Sequence, residues 1–184
     1  MEKKKVLVMG GLQMKDIKRE LREICFNNLS IRCLAYLALF TALVALATYF
    51  IKIPGANTSY YNLGEAFIFM IAIVFGPKAG LIAGALGSSL VDLVLAPIWV
   101  PFTFVIKGVE GWVVGKLAEG KELSGRIIAV IIGGHIMILG YAIAVWILYG
   151  WPAVLPEILG NYGQAAVGAI IALPLARTIE KIIK

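Results

Sequence analysis

Residues 60–111 read YYNLGEAFIFMIAIVFGPKAGLIAGALGSSLVDLVLAPIWVPFTFVIKGVEG, and this stretch decides how the chain folds. Glu65, Asp92, Lys107 and Glu110 stand there inside runs otherwise apolar enough for a lipid bilayer. An ionisable side chain in hydrocarbon is expensive, so it turns toward a bundle interior or a polar cavity and finds a partner. Gly76, Pro77 and Lys78 interrupt the stretch once, and Ala96, Pro97 and Pro101 interrupt it again, as turn residues and helix-opening prolines do. The spacing predicts helices over 63–75 and 79–95 and a third opened by Pro101.

The polar groups fall on faces that meet. Gly80, Gly84, Gly87 and Ser88 form a small-residue face, and Asp92 continues it one turn beyond Ser88, so Asp92 points into a helix interface. Thr103, Lys107 and Glu110 share a face on the next helix, where Lys107 and Glu110 are spaced to pair.

The rest of the chain extends this pattern. Its 184 residues are 60% hydrophobic and 15% charged, whereas a soluble domain carries about a quarter charged residues. Further spans are predicted over 31–51, over 127–149 and from Asn161 onward, the last with Asn161, Gln164 and Gly168 on one face and a kink at Pro174. The fold class is therefore an all-α polytopic membrane protein, a six-helix bundle over 31–184 preceded by a basic segment over 1–30. Within that segment Ile17, Leu21 and Ile24 recur at helical spacing among Lys and Arg, the pattern of a helix lying on a membrane surface or of a basic tail. No secretory signal is present, because VLVMGGL is too short and lacks a cleavage site. Cys25 and Cys33 lack metal-ligand spacing and imply no disulfide framework.

The net charge of +6 comes from basic residues at the termini and in short loops, which reads as topology and lipid contact rather than nucleic-acid binding. With an even number of spans, the basic N-terminal segment, Lys78, Lys116, Lys121, Arg126 and Arg177 share one side and only Lys52 lies on the other, so both termini are expected in the cytoplasm. Glu65, Asp92, Lys107, Asn161 and Gln164 then come to a similar depth in the outer half of the bilayer. Scattered structural polar groups have no reason to share a depth, so these five outline an outward-opening pocket. Tyr60, Tyr61 and Trp99 lean the same way and offer stacking surfaces. Residues 52–62 and 150–160, the second carrying Glu157, read as loops. His135 has no partner in the pattern and is given no role. Ala35, Ala38, Ala42 and Ala45 line one face of the first span, suited to packing inside the bundle or to docking a separate membrane subunit.

Enzyme chemistry finds no support: there is no phosphate loop, no HExxH, no paired-Cys motif, and the lone His lies far from Ser88, Ser89 and Asp92. No catalytic or metal-ligating residue and no cofactor are assigned.

Taken in order, YYNLGEA, FGPKAGLIAGALGSSLVDL, PFTFVIKGVEGWVVGKL and NYGQAAVGAIIALPLA make the chain, over about 30–177, similar to the substrate-binding S components of energy-coupling-factor vitamin transporters, and within them to the riboflavin group. The resemblance implies a plasma-membrane protein that captures a vitamin from outside and assembles with a transmembrane coupling subunit and two cytoplasmic ATPases. It implies docking through Ala38 and Ala42, toppling of the loaded subunit in the bilayer, and ATP use by the partners alone. Riboflavin, flat and uncharged with a ribityl chain, is the expected ligand, bound by Tyr60, Tyr61, Asn62, Glu65, Trp99, Lys107, Asn161 and Gln164. Asp92 and Glu110 are expected to support Lys107, the bland alternative being an Asp92–Lys107 ion pair that only locks two helices. The other readings are an S component for another vitamin such as a thiamine precursor, or a small oligomeric channel or secondary transporter.

Overall fold

The computed structural model describes residues 31–55 and 60–183. The basic segment over 1–30, with its proposed surface helix, lies outside these residues. Among the described residues six α-helices carry the fold: α1 (Ile31–Phe50), α2 (Gly64–Phe75), α3 (Pro77–Leu95), α4 (Val100–Ala118), α5 (Leu123–Tyr149) and α6 (Val154–Ile183). Between α1 and α2 lies an antiparallel hairpin, β1 (Lys52–Pro54) and β2 (Tyr60–Asn62), in register Lys52 with Asn62 and Pro54 with Tyr60. Single 3-10 turns, Pro97–Trp99 and Trp151–Ala153, lead into α4 and α6.

All helices but α2 are long and apolar enough to cross a membrane. With 12 residues, α2 extends only about 18 Å at about 1.5 Å per residue, short of a hydrocarbon core about 30 Å thick. It is apolar all round and is accordingly a central helix, with every residue except Phe67 buried. The outward surface is also apolar: Leu34, Leu39, Leu46, Val94, Ile128, Leu139, Ile147 and Ile170 are all exposed. Lipid is the solvent in which such a surface is stable.

Two sequence expectations shift here. Residues 52–62 form a paired hairpin at both ends rather than a plain loop, because alternating backbone partners can satisfy one another there. The last helix starts at Val154 rather than Asn161, since Pro156 occupies the first turn, where its missing N–H has no intrahelical role. It also runs on through Pro174. Cys33 is disulfide-bonded, contrary to the expectation from cysteine spacing, which carries no information on Cβ geometry.

The core divides into two apolar clusters. One gathers Phe69, Ile68 and Ile71 of α2 with Val44 and Val114, and the other gathers Trp99, Ile106, Met137 and Val145. Along α4 they are separated by Lys107 and Glu110, which lie between Ile106 and Val114. The α3–α4 seam that brings these charges inward rests on two glycines. A Cβ at Gly80 would stand 2.5 Å from the Gly111 carbonyl oxygen, and a Cβ at Gly111 would stand 2.3 Å from that of Gly80. We expect Gly111→Ala to destabilise the protein by about 1–3 kcal/mol through overpacking. Gly163→Ala, with no atom within 4 Å of the new Cβ, should be neutral or slightly stabilising. Thermal unfolding in detergent, followed by tryptophan fluorescence, measures both.

Candidate functional site

The polar side chains of the sequence pattern converge on one cavity between the hairpin and α1, α3, α4, α5 and α6. The cavity volume is about 30 Å³, well below the range of about 300–1,000 Å³ for small-molecule sites, so its polar walls stand nearly in contact with one another.

Its floor is ionic. Lys107 Nζ pairs with Glu65 Oε2 and with Glu110 Oε2, the latter at 3.1 Å, and none of the three side chains is more than 2% exposed. Gln164 Nε2 donates to the same Glu65 oxygen at 3.1 Å. Glu65 has room there because α6 presents Gly168, whose Cβ would lie 2.7 Å from Glu65 Cγ. Two of the three Lys107 donors are thus taken by carboxylates.

One wall is built on the hairpin. The Tyr60 hydroxyl donates to Asp92 Oδ1. Burial, followed by the Asp92 carboxylate, raises the pKa of the Tyr60 phenol well above its usual range, so it keeps its proton and remains a donor. The Asn62 backbone N–H donates to Gln164 Oε1 at 2.8 Å, and the Asn62 side chain accepts from the Gly64 N–H at 3.0 Å. Gln164 therefore ties the hairpin to Glu65 with the two ends of a single amide.

The opposite wall is acidic and aromatic. Glu157, in the first turn of α6, accepts from Asn161 Nδ2 at 3.0 Å. Thr103 and Tyr141 hydroxyls lie 3.1 Å apart, and the Trp99 ring meets Tyr141 edge-on at 5.9 Å between centroids. Thr48 Oγ1 is buried and lacks a hydrogen-bond partner while its side chain lines the cavity. An orphaned hydroxyl at that place is a group ready for a ligand.

Tyr60, Asn62, Trp99, Lys107, Asn161 and Gln164 line this cavity, as the sequence pattern suggests. Glu65 lies beneath it, held by Lys107. Tyr61 does not line it: its hydroxyl is 3.4 Å from the Pro156 carbonyl oxygen and its ring lies over Gly160 on the outer side of the hairpin. The period-two alternation of a strand sends Tyr60 inward and Tyr61 outward. Asp92 is bonded by Tyr60 rather than paired with Lys107, and it faces the cavity. Glu157, assigned to a loop by the sequence reading, is a buried cavity residue. Thr48, Ser88, Thr103 and Tyr141 also line the cavity. Ser88 and Thr103 each share a helix face with a charge that was singled out, a signal sufficient to find them. Thr48 and Tyr141 sit in spans without such a marker.

Among the described residues, a membrane bundle that gathers polar and aromatic side chains from five helices and a hairpin around one narrow cavity is the build of a substrate-capturing membrane protein. The family model for the ECF-type riboflavin transporter, S component, matches residues 28–181, and the chain belongs to that family. It is 38% identical over 140 residues to an uncharacterised protein of Pyrococcus woesei, covering 75% of this chain and 95% of that one. It is 27% identical to the thiamine precursor transporter HmpT of Lactococcus lactis, covering 84% and 92% of the two chains. The solved structure of ThiT from Listeria monocytogenes superposes with a TM-score of 0.57 at 22% identity, covering 83% of this chain and 98% of that one. The protein is thus a multi-pass transporter subunit rather than an enzyme, and a vitamin ligand and an ECF module are its class of partners. A self-contained channel is set aside.

Removing one member of a buried ion cluster leaves the others uncompensated, at a cost of about 3–5 kcal/mol. Lys107→Met is therefore expected to lower the unfolding midpoint far more than Lys107→Met combined with Glu65→Gln and Glu110→Gln. Equal midpoints for the two variants would show that the trio does not hold the floor.

Proposed function

We propose that this chain captures an aminopyrimidine of the thiamine-precursor class and delivers it to an energy-coupling module for ATP-driven uptake. The observation that carries this reading is the charge of the cavity. Asp92 and Glu157 face it, while Lys107, the single cation among the lining residues, is engaged by Glu65 and Glu110. Such walls favour a ligand that brings donors or positive charge, and an exocyclic amine beside a ring nitrogen presents both to a carboxylate. Tyr60, Trp99 and Tyr141 supply faces and edges for a flat ring. Asn161, Gln164 and Thr48 supply neutral hydrogen-bonding groups. The HmpT relative is named for this substrate class.

Riboflavin is the second reading, favoured by the description of the matching family and by the same aromatic walls. Its isoalloxazine ring is uncharged and rich in acceptors, which fits carboxylate walls less well. Isothermal titration of detergent-purified protein with the thiamine-precursor aminopyrimidine, in parallel with quenching of flavin fluorescence, separates the two. Saturable binding of the aminopyrimidine with unquenched flavin is expected, and the reverse result would restore riboflavin. Asp92→Asn and Glu157→Gln should each weaken aminopyrimidine binding about tenfold or more, the scale of a lost charge-assisted hydrogen bond, while His135→Ala leaves it unchanged.

The partner surface follows from α1. Ala35, Ala38 and Ala42 are exposed, so this small-residue face takes no part in packing among the described residues. It suits close approach by helices of a transmembrane coupling subunit, which would in turn engage two cytoplasmic ATPases. Ala38→Trp should abolish co-purification with the coupling module while leaving ligand affinity intact. Undiminished co-purification would move the docking face elsewhere.

A further inference from the structure

The end of the bundle opposite the cavity has an opening of its own. Where α4 gives way to α5 and the last turns of α6 pass alongside, Lys121, Glu122, Arg126, Arg177, Glu180 and Lys181 surround a groove of about 400 Å³. Four of these side chains are cationic and two are carboxylates, and one carboxylate is already matched. Arg126 holds Glu180 through both terminal nitrogens at 2.7 and 3.1 Å, and its Nε donates to the Lys121 carbonyl at 2.9 Å. This fork fixes α6 against the α4–α5 connection and closes one side of the groove.

The remaining cations border it. Arg177 and Lys181 are exposed one turn apart on α6, on a common face. The stem of Lys121 lies against Gly125, where a Cβ would come within 2.7 Å of Lys121 Cβ. The glycine leaves the space that the stem occupies. Only Glu122 stands against these three charges within the lining. Immediately beside the groove the surface turns apolar, with Ile127, Ile128 and Ile182 exposed. A cationic groove bordered by lipid-facing isoleucines sits at headgroup level, where each nearby Lys or Arg strengthens attraction to anionic lipid.

We propose that this groove binds a phosphate-bearing anion, supplied by the headgroup of an anionic phospholipid whose chains lie along Ile127, Ile128 and Ile182. It is independent of the vitamin cavity and of the α1 face. The phosphate takes its charge complement from Arg177, Lys181 and Lys121, while the Arg126–Glu180 fork keeps the groove open to it.

Native mass spectrometry of the full chain, released from detergent containing phosphatidylglycerol or phosphatidylcholine, tests this. Phosphatidylglycerol should stay bound and phosphatidylcholine should not. Arg177→Gln with Lys181→Gln, both at exposed positions, should reduce phosphatidylglycerol retention about tenfold or more. Lys52→Gln at the other end of the bundle should leave it unchanged. Thermal stability is read in parallel with inorganic phosphate. A rise with phosphatidylglycerol alone assigns the lipid. An equal rise with inorganic phosphate, lost in the double variant, assigns free phosphate and overturns the lipid source. Equal phosphatidylglycerol retention by the wild type and the double variant overturns the site. A double variant that failed to fold would lose its thermal transition and is recognised by that.

Discussion

A lysine buried between two glutamates is the constraint on which the arrangement of the bundle depends. Lys107 enters from α4, Glu65 from α2 and Glu110 from one turn further along α4. A charge in that position is tolerable only with partners at hydrogen-bonding distance. The relative height of α2 and α4 is therefore set by ion pairing, and the depth of the cavity floor with it. The glycines at 80 and 111 permit the α3–α4 approach, while the charges fix α2 against α4. The trio is costly as a source of stability, and its use lies in register and in the polarity it gives the floor.

The acidic walls above that floor are separate from it. Asp92 answers to Tyr60 of the hairpin, and Glu157 to Asn161 on its own helix. Neither depends on Lys107 for its place. The cavity thus divides into an ionic base and two carboxylates held on different elements.

Much of this was legible in the sequence because a membrane makes polar residues conspicuous. Glu65, Asp92, Lys107, Glu110, Asn161 and Gln164 stood out against apolar runs, and their spacing on helix faces sent them inward. Glu157 was missed because Trp151, Pro152 and Pro156 read as loop chemistry, although a proline in the first turn of a helix is equally at home. Tyr61 was placed inside because strand alternation in a three-residue β2 is too short to announce itself. Tyr141 and Thr48 lie in spans whose other residues give no hint of which face is turned inward. The pairing of Lys107 with Glu65, across 42 positions, is a tertiary fact that no local spacing encodes.

The brevity of α2 has a consequence for the hairpin above it. A helix of about 18 Å ends well short of a bilayer core of about 30 Å, so β1 and β2 occupy depth that a full span would otherwise fill. Irregular backbone is stable at that depth only when its N–H and C=O groups are satisfied by protein. The ladder between Lys52 and Asn62, the Leu63 N–H to Ile51 C=O bond at 3.0 Å and the Asn62 to Gln164 bond meet that demand jointly. The hydrogen bonds that satisfy this short segment are therefore the same ones that hold Tyr60 and Asn62 over the cavity, so the membrane's demand on the backbone also positions the cavity wall.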